Sequence, residues 1–223
     1  MNIKERYFTT QSLEHQAREL YQQVADLSQK KAFVYQPSQS ALLVLDMQAY
    51  FLEASSHAFI PSARAILDGI VNLIKEYFAQ GRPVIFTQQI NTASNAGMMS
   101  IWWKDLLTSN NPLHRIIPEI DLSMGTLIQK SQYDAFYQTR LEEILHGMGV
   151  TQVVICGVMT HLCCETTARS AFIRGFEVFF PVDGTATYNL AHHKASLLNL
   201  AHGFASVGLM KNILEAIRGE HES

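Results

Sequence analysis

The sequence predicts an α/β fold: a parallel, doubly wound sheet covered by helices on both faces, three layers in all. Three observations carry this. Short continuous apolar runs recur along the chain, as expected of strands buried on both faces. Helical repeats at three/four spacing separate them. Residues able to do chemistry fall just past the carboxyl ends of three of these runs, where open α/β sheets bind ligands.

With 223 residues, the chain is long enough for one sizeable core. Its 48% hydrophobic and 17% charged residues are those of an ordinary globular protein. A net charge of −3 without a basic block argues against nucleic acid or an anionic membrane as the main partner. No apolar run approaches a membrane span, and the polar start MNIKERYFTTQSLEHQ does not read as a signal peptide. Three cysteines, two of them adjacent, do not suggest a disulfide framework, so the expected compartment is the cytoplasm.

In chain order, residues 11–31 form an amphipathic helix with Leu13, Ala17, Leu20, Val24 and Leu27 on one face and Lys30 and Lys31 at its end. That stripe lies either on the domain or against a second subunit. Residues 1–37 are read as a helical extension and 38–223 as the main domain. Ala41, Leu42, Leu43, Val44 and Leu45 make the first strand, which ends in Asp46. A carboxylate at the end of a buried strand serves a site, a helix cap or a salt bridge. Residues 62–80 form a helix with Ser62 as its start cap and Gly81 as its stop. Pro83 to Thr87 follow as the second strand, a right-handed parallel crossover from the first.

Residues 91–123 are irregular and rich in Asn, Ser, Gly and Pro, a candidate lid or pocket wall. Their Trp102 and Trp103 either stack on a planar substrate or pack the lid onto the body. Gly125 to Gln129 read as the third strand, with Lys130 next, and Asp134 is placed to cap a helix through Phe136, Leu141, Ile144, Leu145 and Met148. Val153, Val154, Ile155 and Cys156 form the central strand, bounded by Gly157. Past it, Cys163 and Cys164 fall where a helix begins, near unpaired backbone N–H groups that favour a thiolate. A strand at residues 177–181, a helix at about 191–202, a short strand near 205–207 and a last helix to about 218 complete the alternation.

Asp46, Lys130 and Cys163 thus converge on one edge of the sheet. A carboxylate can accept a thiol proton, and an ammonium favours the ionised form of both neighbours. Cys156 and Cys164 read as packing residues, and His192 and His193 as solvent-facing. His161 either touches substrate or packs its loop. Gln48, Phe51 and Tyr133 are candidate pocket walls.

Three motifs, LLVLDMQ with Asp46, IQKSQYDAF with Lys130 and GVMTHLCCETTARSAF with Cys163, resemble those of the isochorismatase-like hydrolases, a family of cysteine hydrolases. The resemblance spans roughly residues 38–210. It implies a three-layer α/β/α domain, a homo-oligomer (dimer or tetramer) and an Asp46–Lys130–Cys163 triad in the amidase branch. It also implies a cis peptide bond between Val158 and Met159, with the backbone N–H groups of Met159 and Cys163 aimed at an oxyanion. From their places in the chain rather than from the resemblance, the candidate substrate-binding residues are Gln48, Phe51, Trp102, Trp103, Tyr133 and His161.

Two departures from the family pattern qualify this. The Asp/His metal cluster of nicotinamidases has no counterpart around Phe51 to His57, so no metal or other cofactor is expected and nicotinamidase is set aside. True isochorismatases carry glycine where this chain has Cys163. The sequence therefore points to metal-independent hydrolysis of a small amide, carbamoyl or ureido compound through a Cys163 thioester. The rivals are vinyl ether hydrolysis with Asp46 as general acid, and a non-catalytic, partner-binding protein.

Overall fold

The computed structural model describes residues 4–28, 33–103 and 105–219. It opens with an arm at residues 4–10 that leads into α1 (Leu13–Ser28). Next come β1 (Ser40–Leu45), the single turn α2 (Ala49–Leu52), α3 (Leu67–Ala79) and β2 (Val84–Gln89). The irregular segment holds the turn α4 (Met99–Trp102), and β3 (Thr126–Lys130), α5 (Leu141–Gly147) and β4 (Gln152–Val158) follow. The chain closes with α6 (Glu165–Ile173), β5 (Glu177–Pro181), β6 (Thr185–Ala186), α7 (Leu190–Gly203), β7 (Ser206–Gly208) and α8 (Met210–Gly219).

All strands are parallel, in the order β3-β2-β1-β4-β5-β7. β5 pairs with the first half of β4, and β6 with its end at Gly157 and Val158. The chain winds outward from β1 to β3, then returns to β4 and winds the other way. Reversing the winding with right-handed crossovers puts helices on both faces. Accordingly α3 packs with α8, and α6 packs with α7. The reversal leaves a crevice beyond the ends of β1 and β4, the switch point where such sheets bind ligands.

β1 and β4 are buried at every position, which is why both read as unbroken apolar runs. Gly157 is required where they meet. Its φ is +114°, and a Cβ there would lie 2.1 Å from the Leu45 carbonyl oxygen.

The stripe on α1 is covered by the chain itself: Ala17, Leu20 and Val24 lie in the core, with α1 against α7 and β7. Lys30 and Lys31 fall outside the described residues. Ser62 does not cap α3. A short 3-10 turn, Ala63–Ile66, intervenes, and Ser62 Oγ instead accepts the backbone N–H groups of Tyr7 (3.0 Å) and Phe8 (3.1 Å). The helix expected from Asp134 begins only at Leu141, because Asp134 closes a turn by accepting from Phe136 N and Ser170 Oγ. Among the described residues no helix is long and apolar enough to cross a membrane.

Candidate active site

Each of the three converging residues is placed by backbone. Asp46 follows β1 directly in the left-handed region, φ +52°, which strains a non-glycine residue. That turn is held by its N–H, shared between the Thr87 carbonyl and hydroxyl at 3.2 Å each. It points the carboxylate back over the sheet, where Oδ1 accepts from Thr87 Oγ1 at 2.7 Å.

Lys130 ends β3, two strands from β1, a span of about 10 Å at ordinary strand spacing. Only a long, flexible stem crosses that gap. Its buried ammonium lies 2.7 Å from Asp46 Oδ2 and 3.3 Å from Cys163 Sγ. It also donates to Gln89 Oε1 and the Gln132 carbonyl, 2.9 Å each. Burial opposes its charge, but Asp46 and then Cys163 outweigh that, so the ammonium is held above its ordinary pKa.

Cys163 lies in a π-helical turn, Thr160–Cys164, that runs into α6. The Met159 carbonyl accepts the N–H groups of both Leu162 and Cys164 at 3.1 Å. The thiol is buried, with the Lys130 ammonium 3.3 Å away and that ammonium 2.7 Å from the Asp46 carboxylate. Burial pushes it up to about 12; Lys130 pulls it down and Asp46 pushes it up. Burial thus works against the expected thiolate, because loss of water outweighs one nearby cation already paired with a carboxylate. Cys164 and Cys156 are fully buried, and burial raises both thiols.

Cys163 opens onto a cavity of about 220 Å³. Its wall is aromatic (Tyr50, Phe51, Trp103, Tyr133, Tyr188) with Met159, Leu106, Leu107 and Leu162 between, and its polar groups are Gln89, Asn91, His57 and Asp105. Trp103 Nε1 donates to the Tyr133 hydroxyl, closing one side. The peptide bond between Val158 and Met159 is cis. Val158 is buried in the sheet, whereas Met159 reaches the cavity.

Phe51, Trp103 and Tyr133 thus stand where a wall was expected, and three other residues do not. Gln48 is fully buried and acts as a bracket, donating to the carbonyls of Gln89 (3.0 Å) and His114 (2.6 Å) and accepting from Gln89 N (2.8 Å). Trp102 points to solvent, 75% exposed, because successive residues of the α4 turn face different ways. His161 packs its loop: Nδ1 lies 2.5 Å from Thr187 Oγ1, and its ring stacks on His192 at 4.4 Å. His193, expected at the surface, is fully buried, with Nδ1 3.0 Å from Thr160 Oγ1 and 3.2 Å from Tyr7 Oη. Burial holds its imidazole down to about 3.

Thr87, Gln89, Asn91, Tyr50 and Tyr188 were missed in the sequence. A signal existed for the first three: TQQIN places a polar cluster at the end of a buried strand. Nothing local marked the tyrosines.

Among the described residues no group of three His, Cys, Asp or Glu side chains is arranged to hold a metal ion. His57 Nε2 lies 3.0 Å from the Tyr50 hydroxyl instead. The residues present do not fit the family's metal site, and no step below runs through one.

A family model, the isochorismatase domain, matches residues 40–211. Nicotinamidase 3 of Arabidopsis thaliana is 41% identical over 171 residues, 74% of this chain and 82% of that protein. Enterobactin synthase component B of Escherichia coli is 30% identical over 199 residues, 86% and 68% of the two chains. The crystal structure of a cysteine hydrolase from Pseudomonas syringae superposes with a TM-score of 0.80 at 24% identity, covering 84% and 96%. With this fold, these motifs and these relatives, the chain belongs to the isochorismatase-like family of hydrolases.

Proposed function

We propose that this hydrolase cleaves the C–N bond of a small planar amide, carbamoyl or ureido compound through a thioester on Cys163. One observation carries the reading: a buried thiol facing the cavity, 3.3 Å from an ammonium that itself lies 2.7 Å from a carboxylate. The aromatic wall suits a flat substrate. The relative named nicotinamidase supports an amide as substrate. That similarity returns nicotinamide to the candidate substrates.

Burial favours the neutral thiol, so Asp46 takes its proton as sulfur attacks the carbonyl carbon. The backbone N–H groups of Met159 and Cys163 hold the oxyanion. As the tetrahedral intermediate collapses, Asp46 passes the proton to the leaving nitrogen, and ammonia or an amine departs. Water then attacks the thioester with Asp46 as base; the acid leaves and the proton returns to sulfur. Lys130 stays charged throughout, holding Asp46 and Cys163 in register.

The match to the isochorismatase domain supports one rival, ether hydrolysis with Asp46 as acid. Wild type, Cys163→Ala and Asp46→Asn, assayed on nicotinamide, small ureas, carbamoyl amines and isochorismate, separate the two. We expect Cys163→Ala to lose amide turnover by about a hundred-thousandfold, as loss of a nucleophile does. Full activity in that variant, with loss only in Asp46→Asn, would establish the ether reading.

A further inference from the structure

We propose that the arm at residues 4–8, outside the segment matched by the family model, is a working wall of the substrate site: it sets Tyr188 and His57, and so selects which amides the cavity admits. The proposal rests on the reading that Cys163 works in this cavity.

Tyr188 faces the cavity from the short segment between β6 and α7. Three backbone groups of that segment are satisfied by the arm. Thr187 N donates to Tyr7 Oη at 2.9 Å, the Tyr188 carbonyl accepts from Glu5 N at 2.7 Å, and Leu190 N donates to the Glu5 carboxylate at 2.5 Å. Lys4 touches both wall residues: its ammonium sits 4.5 Å from the centre of the Tyr188 ring and donates to the backbone carbonyl of His57. The arm is anchored behind these contacts, since Tyr7 and Phe8 are buried and both backbone N–H groups go to Ser62 Oγ. Loop backbone that must be hydrogen-bonded and has its partner in the arm takes its position from the arm. The family model begins only at residue 40, so the arm lies outside the segment it matches.

The test is a Lys4→Ala/Glu5→Pro double variant in the full chain, which removes the ammonium, the carboxylate and the N–H given to Tyr188. Tyr7 and Phe8 keep the arm docked. Cys163 is alkylated at pH 9 with iodoacetamide and with bulkier N-benzyliodoacetamide, and kcat and KM are measured for nicotinamide and quinoline-3-carboxamide. The ratio of large-reagent to small-reagent rates should shift by about tenfold, the scale of one or two lost hydrogen bonds. KM should move with it while kcat stays within about twofold, the mark of lost uniform binding. An unchanged alkylation ratio, or a fall in kcat at constant KM, overturns the proposal. A shifted ratio in a protein that hydrolyses no amide sustains the wall and sinks the proposed reaction instead. Should the double variant not fold, Lys4→Ala alone must shift the ratio in the same direction; no shift overturns the proposal.

Discussion

The floor of the site hangs from the sheet, whereas its wall is borrowed from connecting segments. Asp46, Lys130 and Cys163 sit at the ends of β1 and β3 and in the turn after β4, and the Lys130 ammonium meets the other two at 2.7 and 3.3 Å. Tyr188, His57 and Trp103 stand on loops whose positions depend on other loops and on the arm. The contrast teaches a division of labour. Strand register, which neighbouring hydrogen bonds enforce, sets the chemistry; loop packing, which can vary without disturbing the sheet, sets what enters.

Lys130→Met strikes the floor hardest. It leaves the Asp46 carboxylate buried without its cation, which costs about 3–5 kcal/mol by the measure of other broken buried pairs. A fall in denaturation midpoint near that of a surface substitution would show the floor is less dry than its geometry implies.

Asp46→Asn should split two readouts. Removing the carboxylate that raises the thiol, and freeing Lys130 to pair with sulfur, lowers the Cys163 pKa from about 12. Alkylation by iodoacetamide should accelerate at least about tenfold, one pKa unit, while amide turnover collapses for want of a base. If both rates fall together, Asp46 does not raise the thiol.

The wall should respond differently. Trp103→Ala removes a ring from the cavity and the hydrogen bond to Tyr133, so KM should rise by about tenfold with kcat little changed. Trp102→Ala next door should alter stability by less than about 0.5 kcal/mol, since its ring is in water. Equal effects at the two positions would erase the distinction.

Beneath the floor, His193 gives a pH test. It is neutral in the fold, held from its ordinary 6.5 down to about 3 by burial. Between those values the unfolded chain binds the proton and the folded chain does not, so stability falls as pH drops below 6.5 and is unaffected by this group above it. His161, held down to about 4 by burial and then by His192, adds in the same direction. Thermal melts of His193→Gln from pH 4 to 8 should show a shallower acid slope than wild type. An identical slope would remove His193 from the account.

The strands and the three floor residues were legible in the sequence because each signal is local. β1 and β4, buried on both faces, must be apolar, so the carboxylate and the thiol just past them stand out, whereas Lys130 ends the largely exposed edge strand β3 and was marked by its motif alone. Tertiary structure decided what depends on pairs of distant residues. Gln48 and Trp102 read like wall residues but turn elsewhere, and His193 is buried only because the arm and the Thr160 turn close over it. The charge on sulfur is of the same kind, since desolvation depends on everything packed around Cys163 and no short motif encodes it.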